Sequence, residues 1–364
     1  MNQPSIWKSD WDLARTALTD WWAGKGLALW VTAPKDEPWE DIPAPEPAPE
    51  PAPDRETFWF NTEHRVQREM HRMANTFFGG VSAPMMNIDI GPGSLGFYLG
   101  AKVNLDEDTV WSEPVIDDPD TFPEIRFDPA NPYWKKHLAI YDAALESAEG
   151  RYLVGFPDLI ENIDTLAQLR GSQPVIWDLV ERPEWVQARI AEIDRAFLEV
   201  QNLLAPRLMD RWGGTAFSCF DIWGKGLTFK VQCDFCCMIS PLMFRKFIKP
   251  SLEFQASHMD NVLFHLDGSE ALPQLDNILA LEGVNGIEWT PTYGEPWGGD
   301  RCWYDLYRRI KAAGKIAQAV FVEPEEVEPL IEAVGPEGMF IMTKTKTESE
   351  ARALLSRTGW KGET

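Results

Sequence analysis

A closed eight-stranded (β/α)8 barrel of the TIM type is the fold class that the sequence predicts, and three observations predict it. Short apolar runs recur along the 364 residues, amphipathic helix-length stretches separate them, and the early chain lacks a glycine-rich turn of the dinucleotide-binding kind. With 44% hydrophobic residues and 17 tryptophans, the chain can bury a sizeable core. An open doubly wound sheet is the alternative reading of the same alternation.

Residues 11 to 23, WDLARTALTDWWA, carry apolar groups at helical spacing before Gly24 and Gly26, which predicts an amino-terminal helix with a glycine stop. LALWV (27 to 31) follows as the first strand. Residues 34 to 53 hold eight of the 28 prolines, and their Pro-Ala-Glu repeat predicts a surface insertion over 34–54 in extended conformation. Such repeats serve as spacers or as a motif for another protein to dock on. RETFWFNTEHRVQREMHRMANTFF then reads as one long amphipathic helix ending at Gly79 and Gly80.

Seven further strands are expected at MMNIDI (85 to 90), YLVGF (152 to 156), TAFSCFDIW (215 to 223), VLFHL (262 to 266), NGIEW (285 to 289), IAQAVF (316 to 321) and GMFIMT (338 to 343). Between them lie helical stretches such as PEWVQARIAEIDRAFLEVQNLL, SPLMFRKFIKPSLEFQASHM, WYDLYRRIKAAG and PEEVEPLIEAVG, with Ser240 as a cap before Pro241. GPGSLG (91 to 96) lacks the dinucleotide spacing and an acid about 20 residues beyond, so it reads as a turn. The whole chain, 1–364, is expected to be a single domain, with residues 1–24 as a helical extension.

The balance of 57 acidic against 34 basic residues gives a formal charge of -23, which disfavours nucleic acid and anionic lipid as partners. No apolar run approaches the ~18 residues of a membrane span. The amino-terminal residues lack the form of a secretory signal, and five cysteines are too few to staple the chain, so a cytoplasmic protein is expected.

In a barrel, reactive groups sit at the carboxyl ends of the strands, where the loops converge. Polar residues fall there repeatedly: Asp89, Asp158 with Glu161, Asp221, His265 with Asp267, Glu288 with Trp289, Gln318, and Thr343 with Lys344. They predict a polar, acidic mouth. His265 and Asp267 stand two apart and so share a strand face, where they could bind a divalent metal or act as an acid/base pair. Glu288, Asp221 or a cysteine are candidates for a third ligand. Cys233, Cys236 and Cys237 in CDFCC have no second pair to complete a structural zinc site, and Asp234 in the same stretch is the better candidate for lining the mouth.

NIDIGPGSLGFYLGA (87 to 101), GFPDLIENI (155 to 163), MISPLMFRKFIKPSLE (238 to 253), FHLDGS (264 to 269), GIEWTP (286 to 291) and PEEVEPLIEAVGPEGMFI (324 to 341), in this order, resemble the uroporphyrinogen decarboxylase superfamily. The superfamily includes methyltransferases that work with corrinoid proteins, and the likeness spans residues 25 to 355. In the decarboxylase branch, the resemblance gives Asp89 the part of the aspartate that holds pyrrole nitrogens. The arginine-rich stretch of that branch is replaced here by TAPKDEP (32 to 38), and an acidic mouth opposes a substrate with many carboxylates. In the methyltransferase branch, HLDG resembles a His-x-Cys-Gly zinc segment, with Asp267 in the cysteine position.

These readings favour an enzyme that demethylates a small neutral or cationic substrate. His265, Asp267 and Glu288 would hold zinc, and Asp89 would act beside His265 and Asp267. Asp158, Asp221, Asp234, Glu288, Trp289 and Gln318 would contact substrate, Trp297 would offer an alternative apolar wall, and a separate corrinoid protein would accept the methyl group. Metal-free decarboxylation around Asp89 and a non-enzymatic binding barrel are the alternatives.

Overall fold

The computed structural model describes residues 6–40, 42, 48–107 and 109–362; part of the proline-rich insertion lies outside them. Thirteen strands run through the described residues: β1 (Leu27–Pro34), β2 (Thr76–Gly80), β3 (Met85–Met86), β4 (Lys102–Leu105), β5 (Val110–Glu113), β6 (Leu153–Val154), β7 (Gly214–Phe217), β8 (Ile222–Lys225), β9 (Thr228–Gln232), β10 (Asn261–Asp267), β11 (Gly286–Thr290), β12 (Ile316–Val322) and β13 (Met339–Lys344).

Seven of them form one sheet in the order β2-β1-β13-β12-β11-β10-β9. Every neighbouring pair in it is parallel except β1 with β2. Helices connect the parallel strands, among them Pro183–Leu208, Lys249–Ala256, Tyr304–Ala312 and Val327–Val334. The architecture is therefore mixed α/β with a mostly parallel sheet.

The eight-stranded ring expected from sequence is not shown by the ladder. β3 and β6 make a separate parallel pair, a bridge links Phe156 to Phe217, and β7 turns back on β8 as an antiparallel hairpin. Two local causes shorten these strands. The guanidinium of Arg65 donates to the carbonyls of Asn87 and Asp89, at 2.9 and 3.0 Å, so those acceptors are not offered to a neighbouring strand. Asp221 adopts a left-handed conformation, φ 50°, which breaks TAFSCFDIW into a hairpin.

The long helix expected over residues 55 to 78 is two helices, Arg55–Phe60 and Thr62–Ala74, followed by β2. Asn61 divides them because its side chain accepts from the backbone N–H of His64 at 2.8 Å, capping the second helix. Gly80 ends β2 with φ +63°, and a Cβ there would lie 1.9 Å from the Leu29 carbonyl oxygen, so only glycine fits. The amino-terminal helix, Trp11–Trp22, ends as expected, with Gly24 N–H donating to the Trp21 carbonyl at 2.8 Å. Ser240 caps Pro241–Met243.

Apolar side chains fill the space between sheet and helices. Phe229 of β9 meets the rings of Phe156, Phe197 and Phe217 at 5.6, 5.3 and 5.2 Å, and all four are fully buried. No helix among the described residues is long and apolar enough to cross a membrane.

Candidate active site

Paired residues in a parallel ladder share a face, and the register of the large sheet puts Gln232, His265, Glu288, Gln318 and Phe340 in one row across β9 to β13. Four of these five are polar. Apolar neighbours on either side, such as Phe264, Leu266, Ile287 and Trp289, alternate to the opposite face and anchor the strands.

His265 is the centre of the row. Its Nδ1 donates to Glu288 Oε2, while Glu288 Oε1 accepts from Thr290 Oγ1 at 2.6 Å. Glu288 is fully buried with both oxygens engaged, so it orients the imidazole and leaves Nε2 as the nitrogen free to act. Burial lowers the His265 pKa, but the Glu288 carboxylate outweighs it and the imidazole is raised to about 9.

Asp234, just beyond β9, and Asp267, at the end of β10, complete the cluster. One ligand atom from each of Asp234, His265 and Asp267 lies within 4.8 Å of the others. Both carboxylates are exposed at the mouth, and His265 is half-buried. One imidazole nitrogen and two carboxylate oxygens, with a third carboxylate behind the imidazole, are a donor set that fits a divalent cation.

A buried layer supports Asp234. Both oxygens of Asp164 accept backbone N–H groups, from Asp234 and Phe235, each at 2.8 Å. Glu161 Oε1 accepts from Gln232 N–H at 2.7 Å, and the Gln232 amide donates to Asp234 Oδ2 at 2.9 Å. Burial raises Asp164 to about 7 and Glu161 to about 8. Lys230, buried on β9, supplies the compensating charge through Asp158 at 2.8 Å and a contact with Gln232 Oε1. Its pKa is lowered by burial but raised overall by Asp158 and Glu161.

The other expected residues divide around this cluster. Asp89 sits beside Asp158, accepting from Asp158 N–H at 2.7 Å and Ser218 Oγ at 3.2 Å, and burial raises it to about 6. Gln318 holds the carbonyl of Phe220 at 3.1 Å, and the Phe220 ring lies 5.0 Å from the His265 ring. Asp221, next in the chain, belongs to a separate cavity with Lys344.

Three of the expected residue types lie outside the converging group. Glu288 is not one of the three converging donors, because His265 and Thr290 occupy its oxygens; Asp234 takes that place. Trp289 offers no wall to the site, since it is fully buried on the opposite face, 4.8 Å from the Trp303 ring. Among the described residues no cysteine joins the cluster: Cys233 and Cys236 are buried, and Cys237 is exposed. Thr343 is buried with Ile341 and Phe340. Trp297 is exposed and packs against Phe321 at 5.0 Å.

Sequence reasoning missed Lys230, Gln232 and Asp164. A lone lysine inside the apolar run LTFKV was the available signal.

The fold formed by this sheet and its helices is shared with a protein of known structure. A solved structure described as a methyltransferase from Methanosarcina mazei superposes with a TM-score of 0.61 over 95% of this chain and 97% of that one, at 12% identity. No protein-family model matches the sequence, and no curated protein matches it.

Proposed function

We propose that the protein is a metal-assisted methyltransferase, taking a methyl group from a small methoxylated substrate and passing it to a corrinoid carried by a separate protein. The observation that carries this reading is the convergence of Asp234, His265 and Asp267 at the ends of neighbouring strands, with Glu288 behind the imidazole. The fold-level likeness to a methyltransferase supports it, as does the sequence resemblance over HLDG.

A zinc or similar divalent ion bound there would supply Lewis acidity toward the ether oxygen. His265 Nε2 and the two carboxylates would hold it, and oxygen donors suit a harder centre than thiolates do. Glu288 fixes the ring so that Nε2 faces the ligand position. The Phe220 ring lies 5.0 Å from the imidazole ring and forms an apolar neighbour to it. As the O–CH3 bond breaks and the methyl group leaves for the corrinoid, the oxygen takes up a proton and departs as an alcohol.

The test is to incubate the zinc-supplemented protein with methoxylated compounds and free reduced cobalamin, and to follow methylcobalamin by its absorbance. Formation above the protein-free control that is lost in His265→Ala supports the reading. No formation across methoxylated sugars, aromatics and simple ethers contradicts it.

A further inference from the structure

A polar cavity of about 450 Å³ opens at the ends of β1, β2 and β13, beside Asp221, the residue that follows Phe220. Its lining includes Trp30, Thr32, Arg72, Asn75, Asp221 and Lys344. Trp30, Thr32 and Lys344 lie on the same sheet face as the His265 row, because Trp30 pairs with Met342 and Thr32 with Lys344. Gln318 ties the two regions together, donating to both the Phe220 carbonyl and Met342 Sδ.

The polar groups of this cavity are unevenly satisfied. Arg72 is committed to Glu69 at 2.9 Å and to the Met85 carbonyl at 2.6 Å. Asp221 and Lys344 form no direct ion pair and no side-chain hydrogen bond among the described residues, although their charges act on each other. Asp221 reaches the cavity from a left-handed backbone position that a non-glycine residue rarely adopts. Trp30 is 6% exposed and its indole N–H has no partner among the described residues.

The formal charges cancel in pairs, Arg72 with Glu69 and Lys344 with Asp221. A carboxylate ligand would meet Asp221, and a quaternary ammonium would meet Lys344 and Arg72. A neutral ligand with several hydroxyl groups satisfies both, since each hydroxyl can donate to Asp221 and accept from Lys344. The volume falls within the ~300–1,000 Å³ of small-ligand pockets, and the Trp30 and Phe78 side chains supply apolar wall.

We propose that this cavity binds the hydroxylated body of a neutral, sugar- or polyol-like methyl ether, with Asp221 and Lys344 as its recognition pair. It rests on the methyl-transfer reading in placing the methoxy group toward His265.

The test measures binding by calorimetry on chelator-treated protein, so its outcome does not depend on metal or on methyl transfer. The probes are methyl α-glucopyranoside, 4-methoxybenzoate and tetramethylammonium. The expected result is saturable binding of the glucoside alone, weakened at least tenfold in both Asp221→Asn and Lys344→Met. Lys344 is exposed, so its replacement spares the fold and keeps this arm readable even if Asp221→Asn loses structure. Absence of glucoside binding would overturn the proposal. So would tighter binding of methoxybenzoate, strengthened in Asp221→Asn, or of tetramethylammonium, lost in that variant alone.

Discussion

His265 on β10 and Glu288 on β11 face each other across one rung of the parallel ladder, and the imidazole Nδ1 donates to the Glu288 carboxylate. The second Glu288 oxygen is tied to Thr290 Oγ1 at 2.6 Å, which leaves the pair no alternative orientation. The imidazole thus stands with a ring nitrogen within 4.8 Å of carboxylate oxygens of Asp234 and Asp267.

Replacing Glu288 with glutamine removes the charge that fixes the imidazole while keeping its volume. Zinc affinity is expected to fall about 10–100-fold, as for other groups that orient a ligating histidine. Competition with a chelating dye checks this, and an unchanged affinity would remove Glu288 from the account.

Asp164 holds the backbone that carries Asp234. Asp164→Ala leaves the N–H groups of Asp234 and Phe235 without acceptors, at about 1–3 kcal/mol each. Urea unfolding should show a loss of about 2–6 kcal/mol, with Asp164→Asn, which keeps one acceptor oxygen, falling between. A loss confined to metal binding, with unchanged stability, would contradict the packing argument.

Asp194 offers a pH test remote from the mouth. Its Oδ1 accepts from Ser251 Oγ and Gln255 Nε2, each at 2.7 Å, between helices Pro183–Leu208 and Lys249–Ala256. Burial raises its pKa from 3.8 to about 6 against those hydrogen bonds. Because the folded value lies above the unfolded one, the stability it contributes is complete below about 3.8 and lost as pH rises through about 6. Asp194→Asn keeps an acceptor and avoids the buried charge. It should match the parent at pH ~4 and exceed it by on the order of 1–3 kcal/mol at pH ~7.5. Urea titrations at both values decide it, and a less stable variant at the higher pH would refute the sign.

Phe229 reports on the core beneath the site. Phe229→Ala should cost about 3–5 kcal/mol in the same assay. A loss below about 1 kcal/mol would mean that the four-ring cluster can close over the gap.

Where residues were buried on both faces, the strands were legible in the sequence: VLFHL, NGIEW, IAQAVF and GMFIMT each match β10 to β13 within one residue. Apolar continuity misled where side chains intercept the backbone. In MMNIDI, Arg65 takes the carbonyls that a longer strand would share, and that arginine stands 22 residues from Asn87 in the chain. β9 was missed because Lys230 interrupts its apolar run, and its partners Asp158 and Glu161 lie about 70 residues away. His265 and Asp267 were legible together from the two-residue period of a strand. Asp234 joining them was not, since that depends on β9 lying beside β10.

The most direct measurement is elemental analysis of the purified, unchelated protein beside a His265→Ala, Asp267→Ala double variant. Near-stoichiometric zinc or another divalent metal in the parent, lost in a folded variant, is the predicted result. A folded parent that fails to take up divalent metal even when supplied with it would contradict the central claim that Asp234, His265 and Asp267 form a metal centre.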